Sequence, residues 1–193
     1  MSEFVLELNG ITKLFPGVKA LDNVDFRLKR GEIHALMGEN GAGKSTLIKI
    51  VTGVHQPDAG EIFLYGKKVT LKSPRDAAHA GISAIYQHVT AYPHLTVTEN
   101  IFMGHQKVKG GFLQWKTMHK QAQELIDKLD ADFRSVDIMG SLSVAQQQMV
   151  EIAKALSVNA QIIIMDEPTA ALTRTEANRL YEITEKLRMT ALQ

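Results

Sequence analysis

The sequence has no cysteine, few aromatic residues, almost no imbalance of charge and no long apolar run. Its 193 residues carry 22 Lys and Arg against 21 Asp and Glu, which gives a formal net charge of +1. Without cysteine there is neither a disulfide nor a thiolate metal site, as suits the reducing cytosol. The balanced charge argues against a dedicated nucleic-acid surface. No apolar run approaches the roughly 18 residues of a membrane-spanning helix, and residues 1–4 lack the basic and then apolar order of a secretory signal. We therefore expect a soluble, intracellular protein.

One segment, residues 38–46 with the sequence GENGAGKST, has the spacing of a phosphate-binding loop, G-x4-G-K-[ST]. The apolar residues 33–37 before it predict a buried strand, and residues 47–51 after it predict a helix. Glycines let backbone amides wrap an anion, and the helix adds its positive dipole end. We expect Lys44 to reach the β- and γ-phosphates and Ser45 to offer its hydroxyl to Mg²⁺. The alternative is a chance glycine-rich turn with a capping serine.

Alternating patterns elsewhere predict an antiparallel β lobe around this loop. Apolar and polar residues alternate over residues 4–8, 24–28 and 61–65, and Pro16-Gly17 marks a turn between the first two. The apolar run 162–165 is rich in β-branched residues and predicts a central parallel strand. The predicted fold class is therefore α/β.

A helical pattern separates the lobe from the later strand. Apolar side chains recur there at intervals of three and four, at Met118, Ala122, Leu125, Ile126 and Leu129. They predict a helical subdomain over about residues 88–142, inserted into a core formed by residues 1–87 and 143–193. A closing helix is expected near the end of the core.

Two acidic residues, Asp166 and Glu167, follow the apolar run. Ligand sites of α/β sheets lie at the carboxyl ends of strands. Asp166 can hold Mg²⁺ through its water shell, and Glu167 can polarise the water that attacks a γ-phosphate. Two adjacent acids can equally be a solvated surface feature, but beside a phosphate-binding loop we interpret them as functional.

The segment LSVAQ, residues 142–146, precedes another helical pattern. Ser143 can cap that helix, and Gln146 three residues later completes a capping box. This structural role is compatible with a functional one, in which the capped helix directs its positive end at the γ-phosphate of a second nucleotide.

Taken in order, these motifs resemble the ATP-hydrolysing subunit of ABC transporters. They are the phosphate-binding loop, Tyr86-Gln87, L-S-x-x-Q and IIIMDEPT. The stretches QPDAGEI, LTVTENIFMG, QQMVEIAKAL and DEPTAALT are further similar to bacterial monosaccharide importers of the ribose and galactose type. The resemblance extends over essentially the whole chain. It implies a P-loop NTPase (RecA-like) core with an antiparallel β lobe and an inserted helical subdomain.

The resemblance also implies roles for the matching residues. ATP and Mg²⁺ are the expected cofactors, with Lys44, Gln87 and Glu167 catalytic and with Ser45, Gln87 and Asp166 as metal ligands. The implied nucleotide-binding residues are Phe15, Val18, Gly38, Glu39, Asn40, Gly41, Ala42, Gly43, Lys44, Ser45, Thr46, Ser143 and Gln146. Within this set Phe15 would stack on adenine, unless it is a core residue before the turn.

The implied function is to energise import of a simple sugar at the cytoplasmic face of the cell membrane. The expected partners are membrane permease subunits, a second ABC ATPase domain that completes each ATP site and, indirectly, a sugar-binding protein, with no nucleic acid. Alternatives are a soluble ABC protein in translation or DNA repair and a non-catalytic nucleotide-binding fragment.

The sequence departs from the family pattern at several positions. The segment LSVAQ, residues 142–146, corresponds to the signature motif of the family. Val144 and Ala145 replace the usual two glycines of this signature, which should weaken its contact with a phosphate. His88 replaces an acid, and Thr173 an aspartate. The chain ends at Gln193, before the strand and switch histidine that the family places after Glu167. We therefore expect the first of two domains, cut short, that binds ATP and hydrolyses it slowly.

Overall fold

The computed structural model describes residues 3–86, 91–169 and 172–191, which form two compact units. The first unit comprises residues 1–82 together with 184–193, and the second comprises residues 83–183. Strands and helices alternate along the chain, which confirms the predicted α/β class. The predicted limits of the helical subdomain, 88 and 142, stay a prediction.

The first unit is built on a four-stranded antiparallel sheet with the strand order β2-β1-β3-β4. The strands are β1 (Phe4–Phe15), β2 (Val18–Lys29), β3 (Ala59–Leu64) and β4 (Lys67–Val69). Val5, Leu6, Leu8 and Ile11 of β1 are buried. The strands predicted at 4–8, 24–28 and 61–65 and the Pro16-Gly17 turn are confirmed.

Two helices lie entirely in this unit, α1 (Lys44–Val51) and α2 (Pro74–His79). Helix α1 is the helix predicted after the phosphate-binding loop, and it buries Leu47, Ile50 and Val51. Ser73 caps α2 by accepting the amide of Asp76, as serine does at many helix N-termini.

Residues 33–37 do not form the buried strand that their apolar character predicts. They lie in an irregular segment, and Met37 is 88% exposed. A strand is stable only when a neighbouring strand pairs with its backbone, and residues 33–37 belong to none of the sheets that the described residues form. Hydrophobicity alone gave no information about a pairing partner, so this prediction is wrong.

The second unit contains most of the helices. They are α3 (Val97–Phe102), α4 (Trp115–Lys128), a 3-10 helix (Met139–Ser141), α5 (Val144–Ser157) and the larger part of α6 (Arg174–Ala191). The fully buried side chains of Ile101, Met118, Ile126 and Ile152 form its core. The helices predicted from apolar periodicity at α4, α5 and α6 are therefore confirmed.

Four short strands accompany these helices: β5 (Ile82–Ile85), β6 (Val108–Lys109), β7 (Phe112–Leu113) and β8 (Ile162–Met165). Strand β8 has the predicted limits, but only Ile162 is buried and the other three residues are half-buried. Over the described ranges β8 pairs with β5 alone, so the predicted central position is not observed there. None of the helices in these ranges is both long and apolar enough to cross a bilayer.

Candidate nucleotide-binding and catalytic site

The phosphate-binding loop enters α1 through Gly43, the N-cap of the helix, which has a φ of 91° and provides no capping side chain. A Cβ at this position would lie 2.5 Å from the carbonyl oxygen of Ala20 and 2.8 Å from a methyl carbon of Leu21. Both the left-handed backbone and the close approach of β2 therefore require glycine. The first amides of α1 have no acceptor within the helix, so they can bind an anion.

Lys44 folds back over the loop that precedes it. Its Nζ donates hydrogen bonds to the carbonyl oxygens of Gly38 at 2.7 Å and Glu39 at 2.9 Å. A further bond from the Ala42 amide to the Glu39 carbonyl, at 3.1 Å, closes the turn. Among the described residues no carboxylate pairs with this ammonium. The Lys44 ammonium thus places a positive charge next to the first amides of α1.

The other predicted residues of the loop are accessible. The exposed ones are Gly38, Glu39, Asn40, Gly41, Ala42 and Ser45, whereas Gly43, Lys44 and Thr46 are half-buried. The Ser45 hydroxyl lies in the first turn of α1, where it is free to act as an oxygen ligand of the kind that Mg²⁺ prefers.

Phe15 and Val18 face each other across the turn between β1 and β2. They are 37% and 61% exposed, which contradicts the alternative that Phe15 is a core residue. The Phe15 ring contacts the His55 ring edge-on and has the Lys13 ammonium over it. An exposed aromatic ring held in this way is a suitable stacking surface for a base.

Asp166 and Glu167 follow β8 directly in the second unit. The Asp166 amide donates to the carbonyl of Ile85 at 2.9 Å, which continues the pairing of β8 with β5 by one residue. Glu167 has a φ of 47°, the left-handed region that non-glycine residues seldom adopt. Such strain clusters at functional sites. Gln87, the third predicted residue of this group, and His88 lie outside the described residues.

The predicted capping box at the start of α5 is present. The Gln146 amide donates to Ser143 Oγ at 3.2 Å, and the Ser143 amide donates to Gln146 Oε1 at 2.8 Å. In addition, Gln146 Nε2 donates to Asp132 Oδ1 at 3.0 Å. This bond from Gln146 is the main cause that lowers the pKa of the Asp132 carboxyl. The signature glutamine therefore has both ends of its amide engaged.

An open cavity of about 200 Å³ adjoins this helix start. Its lining residues are Asp132, Ser143, Ala145, Gln146, Met149, Glu176 and Arg179. Ser143 and Ala145 are among the residues that line it, so the start of α5 borders open space. No sequence motif indicates Asp132, because its contact with Gln146 joins two segments that share no motif.

Some of the predicted site residues are in contact in the structure, and others belong to different units. Phe15 lies beside Val18, Lys44 contacts the phosphate-binding loop, and Ser143 is bonded to Gln146. The loop belongs to the first unit, whereas the acids after β8 and the signature belong to the second. Within the described ranges no three His, Asp or Glu side chains cluster closely enough to hold a metal ion.

Comparison with known proteins gives a consistent result. The ABC transporter family description matches residues 21–170. The ribose import ATP-binding protein of Yersinia pestis is 50% identical over 184 residues, which are 95% of this chain and 36% of that protein. The xylose import ATP-binding protein of Geobacillus kaustophilus is 47% identical over 190 residues, or 97% of this chain and 38% of the relative. The chain thus spans little more than a third of their length.

Solved structures of ATP-binding cassettes from ABC transporters resemble this chain. The ADP conformation of an ATP-binding cassette of an ABC transporter superposes with a TM-score of 0.85 at 28% identity, over 98% of this chain and 79% of that one. A dimeric bacterial ABC transporter cassette gives 0.78 at 28% identity, over 96% and 83%. The predicted P-loop NTPase fold is confirmed. The chain belongs to the ABC transporter family and has the fold of its ATP-binding cassettes.

Proposed function

We propose that this chain binds and hydrolyses ATP and thereby energises import of a simple sugar. The observation that carries the proposal is the loop of residues 38–46, which enters an uncapped helix at Gly43 with the Lys44 ammonium folded over it. Relatives named as ribose and xylose import ATP-binding proteins support the assignment of a sugar as cargo.

In this proposal the loop amides and Lys44 hold the β- and γ-phosphates. Exchange of the two carbonyl contacts of Lys44 for phosphate oxygens would strengthen its bonds, because a phosphate oxygen is itself charged and adds the attraction between opposite charges to each hydrogen bond. The exposed ring of Phe15 offers its face to adenine, and Val18 lies beside it.

The donor set also suits magnesium, which neutralises phosphate charge when it is bound with ATP. We assign the hydroxyl of Ser45 and the carboxylate of Asp166 to it, together with Gln87, which lies outside the described residues. Hydroxyl, carboxylate and amide oxygens are hard ligands of the kind magnesium takes.

Glu167 is the proposed general base that accepts a proton from the attacking water. It follows β8 directly, and its backbone has a φ of 47°. Ser143 and the N-terminal amides of α5 are proposed to contact the γ-phosphate of ATP bound to a second ABC domain. For Gln146 to join them, its bond to Asp132 has to break.

The whole assembly then comprises two ATP-binding domains on the cytoplasmic face of a membrane permease, supplied by a sugar-binding protein and without nucleic acid. ATP contacts both domains only when they are closed, so binding favours the closed state and hydrolysis reopens it. A solved cassette described as dimeric supports the pairing.

The test is a calorimetric titration of Mg-ATP into the wild type and Lys44→Ala. We expect at least a hundredfold loss of affinity in the variant, because a charged hydrogen-bond donor to the phosphates is removed. Lys49→Ala is the matched control, since Lys49 is an exposed lysine in the last turn of the same helix. Equal affinity of Lys44→Ala and the wild type would overturn the proposal.

A further inference from the structure

The loop of residues 54–58, which connects α1 to β3, contacts the exposed ring of Phe15. His55 meets this ring edge-on, with the ring centroids 5.4 Å apart and the planes inclined by 69°. The Lys13 ammonium lies over the same ring, 5.6 Å from its centroid. Two side chains therefore hold Phe15, while 37% of the residue stays exposed.

Asp58 fixes Lys13 and the end of β1. Its Oδ1 accepts from Lys13 Nζ at 3.1 Å, and its Oδ2 accepts from the Leu14 amide at 2.6 Å. The Asp58 amide in turn donates to the Thr12 carbonyl at 2.9 Å. The bond from the Leu14 amide and then that from Lys13 lower the pKa of the Asp58 carboxyl. The side chain of Lys13 is only 15% exposed, so it has little freedom to leave the ring.

The other end of the loop is attached to the helix that begins at the phosphate-binding loop. The amides of Val54 and His55 donate to the carbonyl of Lys49 in α1, at 2.8 and 2.9 Å. Between these ends, Gln56 Nε2 donates to the Leu71 carbonyl at 2.6 Å. The loop is thus hydrogen-bonded to α1 at one end and to the end of β1 at the other, and between these ends His55 contacts the Phe15 ring.

We propose that His55 and Asp58 are positioning residues for the nucleobase, which orient Phe15 so that one face of its ring stays open for the adenine of ATP. The inference rests on the proposed function, in which Phe15 stacks on adenine. The edge contact with His55 restricts rotation of the ring, and an aromatic pair of this geometry is favourable beyond its buried area. Lys13 occupies the other face through a cation–π contact. A ring fixed before binding loses less entropy when the base arrives.

The experiment measures the affinities of Mg-ATP and of inorganic tripolyphosphate for the purified chain and its variants. We expect His55→Ala to weaken Mg-ATP about threefold to tenfold and to leave tripolyphosphate unchanged, because only the base uses the ring. His55→Phe keeps an aromatic edge and restores the affinity. Asp58→Asn changes Mg-ATP affinity in the same direction as His55→Ala.

Two variants serve as matched controls. His79→Ala removes an exposed histidine of the same unit, and Asp22→Asn removes the acid that pairs with Lys19 at 3.1 Å on the β1–β2 hairpin. Both are expected to bind Mg-ATP as the wild type does. Thermal unfolding of every variant separates a local effect on the ring from a general loss of structure.

Phe15→Ala separates this inference from the function on which it rests. Unchanged Mg-ATP affinity in Phe15→Ala refutes base stacking, and the positioning role with it. Weaker binding by Phe15→Ala but wild-type binding by His55→Ala overturns the positioning role alone. An equal loss for Mg-ATP and tripolyphosphate in His55→Ala also overturns it. In the Phe15→Ala background, the removal of His55 should add nothing.

Discussion

At the scale of single residues, burial and hydrogen bonds determine which side chains are charged. His105 Nε2 lies 2.8 Å from Ser157 Oγ, and its ring is 5.4 Å from that of Phe102. Burial lowers the pKa of His105 below its ordinary value of 6.5, and the charges of Lys154 and Lys107 act in the same direction. The folded structure therefore favours the neutral form of the His105 ring.

This depressed pKa gives a prediction for stability against pH. Because the unfolded chain binds the His105 proton at a higher pH than the folded chain does, stability is lost as the pH falls below about 6.5. We expect the free energy of unfolding to be lower at pH 5.5 than at pH 7.5, and the difference to be smaller in His105→Gln. Urea denaturation at the two pH values measures this. A wild-type difference in His105→Gln would contradict the assignment.

At the scale of helices and strands, local patterns predicted most of the fold. The strands of the β lobe and helices α4 and α5 follow from periodicity, and the Ser143 cap follows from a three-residue spacing. The strand at 33–37 was predicted wrongly because strand pairing depends on distant segments. The contacts of Asp132 with Gln146 and of His55 with Phe15 were not predicted for the same reason, since they join residues 14 and 40 positions apart in the sequence.

The start of α5 allows a direct test of its cap. Ser143→Ala removes the oxygen that accepts the Gln146 amide and is expected to cost about 1 kcal/mol of unfolding free energy. Ser143→Thr keeps the hydroxyl and should retain most of the stability. Chemical denaturation of the three proteins measures the difference. If Ser143→Ala is as stable as Ser143→Thr, the Ser143 cap contributes nothing to the free energy of unfolding and the prediction is wrong.

The same helix start explains why the signature should be a weak phosphate contact. Val144 and Ala145 carry side chains at the first two positions of α5, and Val144 is 49% exposed. Side chains here prevent the closest approach of a phosphate to the backbone. The bond from Gln146 to Asp132 adds a carboxylate near the place where an anion is expected.

At the scale of the whole molecule, the proposed reaction requires association of two ATP-binding domains. Each would supply a phosphate-binding loop to its own nucleotide and the start of α5 to the nucleotide of the other. In this proposal the negative charge of Glu167 lies near a γ-phosphate and opposes closure through like-charge repulsion, and hydrolysis relieves it. One carboxylate is thus proposed to limit the lifetime of the closed pair as well as to activate water.

Glu167→Gln separates these two effects, because the amide keeps the size of the side chain and removes its charge and basicity. We expect turnover to fall roughly 10²–10⁴-fold, as for loss of a general base, while Mg-ATP binding persists. Without the charge, the ATP-bound dimer should accumulate and elute earlier than the wild type in size-exclusion chromatography with Mg-ATP. Glu182→Gln, at an exposed position of α6, is the matched control and should elute as the wild type does. A Glu167→Gln protein that binds Mg-ATP, stays monomeric and keeps wild-type turnover would assign the base to another residue.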